Sequence, residues 1–295
     1  MHSVSQTLAG CRILSVALNL PGPAALMRLA TMGAACTKLE QPSANGNITT
    51  SDPMGQYAPH AYRELHAGID ILHADLKTAE GQQQAQAVLA QTDVLLTSMR
   101  PAALVRLGWD WASLHAQFPQ LNMVQIVGAT GARSNEAGHD LTYQAEAGLV
   151  TSLQMPASLM ADMAGALMAS EAVLQALLLR QRSGQGQVLE VGLLEAAQWL
   201  GIPRRWGMTT PDGVTGGAHA GYRIYACQDG RVAIAALEPH FTQRLWEQVS
   251  PDSAVPAMDH PSTQQAIAAF CASHSCTQLN ALAAQYDLPL VTMAD

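Results

Sequence analysis

Apolar and polar positions alternate along this chain in two periods, and the switch between them sets out its elements. The run Arg-Ile-Leu-Ser-Val-Ala-Leu at 12–18 is short, apolar and β-branched in part, and Leu20-Pro21-Gly22-Pro23 breaks it. A helical spacing follows over 24–32 and stops at Gly33. Cys36-Thr37-Lys38-Leu39 reads as the next strand, which completes a βαβ unit. The alternation continues with a strand over 69–76, a Gln/Ala-rich helix over 78–91 and a strand over 93–99. A short helix over 101–107 and a strand over 122–128 come next. Strands that alternate with helices predict an α/β fold, with a Rossmann-like, doubly wound parallel sheet.

Beyond residue 140 helices dominate, over 140–151 and 162–182, followed by a turn at Ser183-Gly184-Gln185-Gly186-Gln187. A strand at 188–191 and a helix at 193–200 complete this part. Between 209 and 221 the composition turns to Gly, Thr and Pro, which marks a linker. Gln228-Asp229-Gly230, between apolar runs at 222–226 and 231–236, is a hairpin signature. Helices over about 240–249, 262–273 and 276–285 follow. The expected domains are a large Rossmann-like domain over 1–205, a linker over 206–220 and a small α+β domain over 221–295.

Composition narrows the classes. The chain has 295 residues, 48% hydrophobic and 13% charged, so it can bury a large core. A net charge of −8 with 15 Lys+Arg argues against a nucleic-acid partner. No apolar run is read as reaching membrane-spanning length, so no membrane partner is expected. The first sixteen residues lack a basic region before their apolar stretch and do not read as a secretory signal. Five cysteines without a CxxC pair fit reduced thiols in a cytoplasmic protein. Cys271, His274 and Cys276 lack a fourth ligand, so no metal is expected. With no GxGxxG, no flavin or nicotinamide is expected either.

The candidate chemistry lies in Gly138-His139-Asp140, in Asp162 and in Glu238 of Leu237-Glu238-Pro239-His240-Phe241. An imidazole and a carboxylate facing each other across a substrate can move a proton in either direction. That combination points to a carbanion made and quenched beside a carbonyl. Other readings of the same residues stay open. Asp162 is also a good first-turn acid for its helix, Glu238 a helix-start acid, His139 a loop histidine and Asp140 a cap for its own helix.

The ordered series Gly22-Pro23, Gly33-Ala34-Ala35-Cys36-Thr37-Lys38-Leu39-Glu40-Gln41-Pro42, Asp75-Leu76-Lys77-Thr78, Met99-Arg100-Pro101, Gly138-His139-Asp140, Asp162 and Arg182-Ser183-Gly184-Gln185-Gly186-Gln187-Val188 resembles the family III CoA-transferase and α-methylacyl-CoA racemase superfamily (CaiB/BaiF-like). The resemblance runs from about residue 8 to the C-terminus. It implies an interlocked homodimer whose active site lies between the large domain of one subunit and the small domain of the other. Coenzyme A, as part of an acyl-CoA substrate and not as a prosthetic group, would lie on the large domain. The racemase branch uses a histidine, an aspartate and a supporting glutamate, which His139, Asp162 and Glu238 match. The expected activity is therefore racemisation of a 2-methylacyl-CoA. The transferase branch uses an aspartyl nucleophile, which Asp162 also matches, and is the alternative. Lys38 and Arg100 match cation positions that contact CoA, and Gly165 is expected to let backbone approach the thioester.

The chain departs from the family pattern at several points. Ile69, Asp70 and Gln41 stand where basic residues are expected, and Ala102 replaces the glycine of Arg-Pro-Gly. Each lost charge-assisted phosphate bond costs roughly 1.5–3 kcal/mol. The segment between His139 and Asp162 is trimmed, with Met155, Met160, Met163 and Met168 in or near it. Relatives also continue past the position of Asp295 and return to the large domain. These departures keep a third reading in play, a family member that binds acyl-CoA or a protein without catalysis.

Overall fold

A computed structural model describes residues 6–42 and 50–294. Residues 1–5 of the stretch read for a signal, and Asp295, lie outside them. The described residues fall into two compact units, 1–201 and 202–295. Residues 202–205, expected at the end of the large domain, and 206–220, expected as a linker, therefore belong to the smaller unit.

The larger unit is built on six strands: β1 (Arg12–Ser15), β2 (Ala35–Glu40), β3 (Asp70–His73), β4 (Val94–Thr97), β5 (Asn122–Val127) and β6 (Val188–Gly192). All neighbours are parallel, in the order β3-β2-β1-β4-β5-β6. Side chains of a strand point alternately to its two faces. Ile13, Leu96 and Val124 accordingly join one core, and Leu14, Leu95 and Met123 the other. Burial on both faces explains why these strands read as unbroken apolar runs.

One face is covered by α1 (Pro21–Thr31), α8 (Met160–Ser183) and α9 (Leu193–Leu200). The opposite face is covered by α4 (Ala79–Leu89), α5 (Pro101–Leu107) and α6 (Trp111–Gln117). Between β2 and β3 lie α2 (Met54–Tyr57) and α3 (Pro59–Leu65), which the periodicity does not reveal. The helix expected over 140–151 is shorter, α7 (Asp140–Glu146), because Gly148 takes a left-handed φ of 74° and ends the run. The helix α8 has 24 residues and is long and apolar enough to cross a membrane by length and composition, which corrects the sequence reading on that point. Its small residues Ala161, Ala166, Ala169 and Val173 are sealed in the core.

The smaller unit contains α10 (Ile202–Arg205), the strands β7 (Tyr222–Cys227) and β8 (Gly230–Ala235), and three helices, α11 (Pro239–Val249), α12 (Pro261–Ala272) and α13 (Cys276–Tyr286). A third strand, β9 (Leu290–Ala294), pairs antiparallel with β8. Its core gathers Tyr225, Val232, Ile234, Leu245, Ile267, Cys271 and Leu279.

Candidate active site

In the order β3-β2-β1-β4-β5-β6 the connections reverse direction between β1 and β4. At such a point the loops leaving the two strands part and open a crevice at the carboxyl ends. A cavity of about 270 Å³ lies there, lined by Leu18 and Asn19 after β1, Ser98 and Arg100 after β4, and Gly128 after β5. His139, Tyr143 and Asp162 also line it, together with Glu136 and Leu193.

The loop after β1 is held firmly. Ser98 Oγ accepts the Leu18 N–H at 2.9 Å, and Asp52 Oδ1 accepts the Asn19 N–H at 3.1 Å. Asn19 takes a φ of 61°, a conformation that few residues other than glycine tolerate. Gly22, in the first turn of α1, has no room for a side chain, since a Cβ would lie 2.1 Å from Ala17 Cβ.

His139 is the N-cap of α7, with extended backbone and an exposed side chain. Its N–H donates to Thr142 Oγ1 at 3.1 Å. Tyr143, one turn further on, is buried, and its ring explains the glycine before the histidine. A Cβ on Gly138 would sit 2.5 Å from the Tyr143 hydroxyl. Burial, and then the Asp162 charge, raise the Tyr143 phenol above its usual range.

Asp162 lies in the first turn of α8 and is partly enclosed. Burial, followed by the nearby Asp140 carboxylate, pushes its carboxyl up to about 7. Asp140, expected to cap its own helix, instead reaches α8. Its Oδ1 accepts the Asp162 N–H at 3.0 Å, and its Oδ2 accepts Gln144 Nε2 at 2.5 Å. Gln144 also donates to the Ser158 carbonyl at 3.0 Å. The residue after His139 thus ties the histidine's segment to the backbone of Asp162. A carboxyl that titrates near neutrality can both take and give a proton, and a long helix favours an anion in its first turn.

The other sequence candidates fall in different places. Lys38 does not line the cavity. Its side chain is fully buried in β2, 3.1 Å from Glu40 Oε1, 2.5 Å from Asp52 Oδ2 and 3.1 Å from His66 Nε2. An ammonium enclosed by two carboxylates is not available to a phosphate, so its reading as a CoA contact is corrected. Gly165 does not line the cavity either. It lets α8 pack on α9, since a Cβ would meet Leu193 Cδ2 at 2.3 Å. Glu238 belongs to the smaller unit, where it is the exposed N-cap of α11 and makes no side-chain capping bond. Met155 and Met163 are exposed and Met168 packs on the core; none of the three lines the cavity.

Arg100 is exposed and does line it. It also borders a groove of about 300 Å³ that contains Met99, Arg106 and Asn135. Met99 and Arg106 in turn border a third groove, of about 580 Å³, with Leu76, Lys77 and Gln82. Arg106 escaped the sequence reading, although it lies on the short helix that Arg100 starts. Tyr143 and Asn19 also escaped it. The signal for Tyr143 was its spacing of four from His139 on one helix.

Comparison with known proteins identifies the family. The model of CoA-transferase family III matches residues 8–295. A succinyl-CoA–D-citramalate CoA-transferase of Chloroflexus aurantiacus is 31% identical over 62% of this chain and 48% of its own length. The human α-methylacyl-CoA racemase is 26% identical over 81% of this chain and 63% of its own. A CaiB/BaiF CoA-transferase family protein of Caenorhabditis elegans is 28% identical over 83% and 73%. The chain thus spans about half to three quarters of the length of these relatives. Among solved structures, a hypothetical protein of Mycobacterium tuberculosis superposes with a TM-score of 0.80 at 22% identity, over 98% of this chain and 84% of that one. This chain, with its parallel α/β sheet and a cavity at the point where the strand order reverses, belongs to CoA-transferase family III.

Proposed function

We propose that the protein racemises or epimerises a 2-methylacyl-CoA by moving the proton at C2. The observation that carries this reading is the shared cavity of His139 and Asp162, in which the acid is held near neutrality. A proton beside a thioester carbonyl is weakly acidic, so its removal needs a base within reach and a dipole for the enolate oxygen. In this reading one side chain takes the proton from one face of C2 and the other returns a proton to the opposite face. The electron pair rests meanwhile on the thioester oxygen. The first turn of α8 favours that negative charge. The roles exchange with the hand of the substrate.

Arg100, Arg106 and Lys77 border the adjoining grooves and offer charge to the phosphates of CoA. They compensate in part for the missing basic residues at Ile69, Asp70 and Gln41. Glu238 enters by resemblance alone. In a homodimer the second copy's small domain would bring this carboxylate to His139 and fix the imidazole's tautomer, as an orienting acid does in a triad.

A CoA-transferase is the second reading, favoured by the relatives named as transferases. Asp162 would then attack the acyl-CoA carbonyl and expel the thiolate, leaving a mixed anhydride. Incubation with a 2-methylacyl-CoA in D₂O separates the two. Deuterium at C2 is the expected result. No exchange, together with an acyl adduct on Asp162 that hydroxylamine traps, replaces racemisation with transfer. Neither signal, with no CoA binding by calorimetry, leaves a non-catalytic family member.

A further inference from the structure

Two thiols meet in the smaller unit, where β7 ends and α13 begins. Cys227 closes β7, and Cys276 is the first residue of α13, after the N-cap Ser275. Their sulfurs lie 3.5 Å apart. The approach is held by the backbone on both sides. Asp229 Oδ1 accepts the Cys276 N–H at 2.6 Å. The Gln228 N–H donates to the His274 carbonyl at 3.0 Å, and Gln228 Nε2 donates to the Ser273 carbonyl at 3.0 Å. The hairpin turn is thereby pinned to the corner between α12 and α13. The two sulfurs differ in access, since Cys227 is partly exposed and Cys276 is 8% exposed.

We propose that Cys227 and Cys276 form a thiol–disulfide exchange site for small-molecule disulfides. The accessible sulfur reacts first. The Cys227 thiolate attacks one sulfur of the disulfide RSSR, forms a mixed disulfide and expels RS⁻. Cys276 is too enclosed to meet RSSR, but it faces the Cys227 sulfur. Burial, and then its Cys227 and Asp229 neighbours, push the Cys276 thiol up to about 11, so the small thiolate fraction sets the pace of this step. That thiolate attacks the Cys227 sulfur, forms the Cys227–Cys276 bond and expels a second RS⁻. Two protein thiols are oxidised to one disulfide and RSSR is reduced to two RSH, which take up the two protons. Bonding requires the sulfurs to close from 3.5 Å to about 2.05 Å.

A metal ion is the competing use of the same atoms. Asp229 offers a carboxylate oxygen within 4.8 Å of both sulfurs, which makes three donors. A structural zinc takes four, and Asp229 Oδ1 already accepts the Cys276 N–H. Exchange between the thiols needs no further ligand.

The full-length reduced protein, incubated with oxidised glutathione and mapped by non-reducing peptide mass spectrometry, tests the assignment. The expected result is the loss of two free thiols per chain, a Cys227–Cys276 cross-link and no retained glutathione. Cys276→Ser should trap glutathione on Cys227, and Cys227→Ser should leave Cys276 unmodified. A stable glutathione adduct on Cys227 in the unaltered protein would overturn the proposal, as would a cross-link through Cys271 or an unreactive Cys227. Zinc retained through dialysis at one per chain, and lost in Cys227→Ser, would overturn it in favour of a metal.

Discussion

The two proton carriers of the cavity are mounted in opposite ways. His139 is an exposed cap on a helix of seven residues, whereas Asp162 is enclosed in the first turn of a helix of 24. The imidazole is exposed at the cavity wall. The acid is governed by its surroundings, which push it up to about 7 through burial and the Asp140 charge. One wall of the site is therefore an acid tuned by the fold and the other an exposed imidazole. If proton transfer at C2 is the reaction, loss of the tuned group should be the more damaging.

The largest effect is expected for Asp162→Asn, which should lower C2 deuterium exchange by roughly 10⁴-fold, the upper end for a general acid–base group. Unchanged exchange in that variant would remove Asp162 from the chemistry. His139→Ala comes next, at about 10³-fold for one substrate enantiomer, because water has access to the imidazole's place and can substitute in part. Equal losses for both residues would erase the contrast between the two walls, and full activity would dismiss His139.

The two cations sharpen the contrast between enclosure and access in another currency. Lys38→Met leaves Glu40 and Asp52 buried without their cation, and should cost about 3–5 kcal/mol in denaturant unfolding. It should leave the Michaelis constant for acyl-CoA unaltered in whatever protein folds. Arg100→Met should do the reverse, with a Michaelis constant about tenfold higher and nearly unchanged stability. An exchange of these phenotypes would restore Lys38 as a ligand contact.

The smallest effect is a displacement along the pH axis. The raised carboxyl of Asp162 ionises only as the pH passes about 7, so a reaction that needs its base form gains rate through that range. Asp140→Asn removes a neighbouring negative charge and should move this rise in kcat/KM to lower pH. The same shift acts on stability. A carboxyl raised in the folded state stabilises the fold below its unfolded pKa near 4, and that contribution is lost as the pH climbs through about 7. Urea unfolding of the unaltered protein across pH 4–8, set against Asp162→Asn, measures it. A profile that does not move in Asp140→Asn would sever the link between the two acids.

Much of the fold was legible because its signals are local. The strand Val94-Leu95-Leu96-Thr97 is buried throughout, and such a run has few other readings. The helix over 101–107 was legible from Pro101 at its start and Gly108 at its end, where φ is 69°. By contrast β9 was missed, because a five-residue strand after Pro289 is recognised only by pairing with β8, some sixty positions earlier. The helix α6 was missed although Asp110 caps it through the Ser113 N–H at 3.1 Å. Within the site, His139 and Asp162 could be named from sequence, but their common cavity could not. The fate of Lys38 was half legible. The period of two puts Lys38 and Glu40 on one face of β2, but Asp52, which completes the enclosure, arrives from a distant turn. Nothing local separates Gly165 as a packing residue from Gly165 as a ligand contact, since only Leu193 across the helix interface decides it.

The sealed trio of Lys38, Glu40 and Asp52 has a consequence for how this protein can diverge. Removing Lys38 strands two carboxylates in the interior, whereas losing one carboxylate leaves the cation paired with the other. Asp52 also holds the Asn19 turn at the cavity's edge. Lys38 can therefore be lost only together with its acids, and an exchange that includes Asp52 also frees the Asn19 N–H at the cavity's edge.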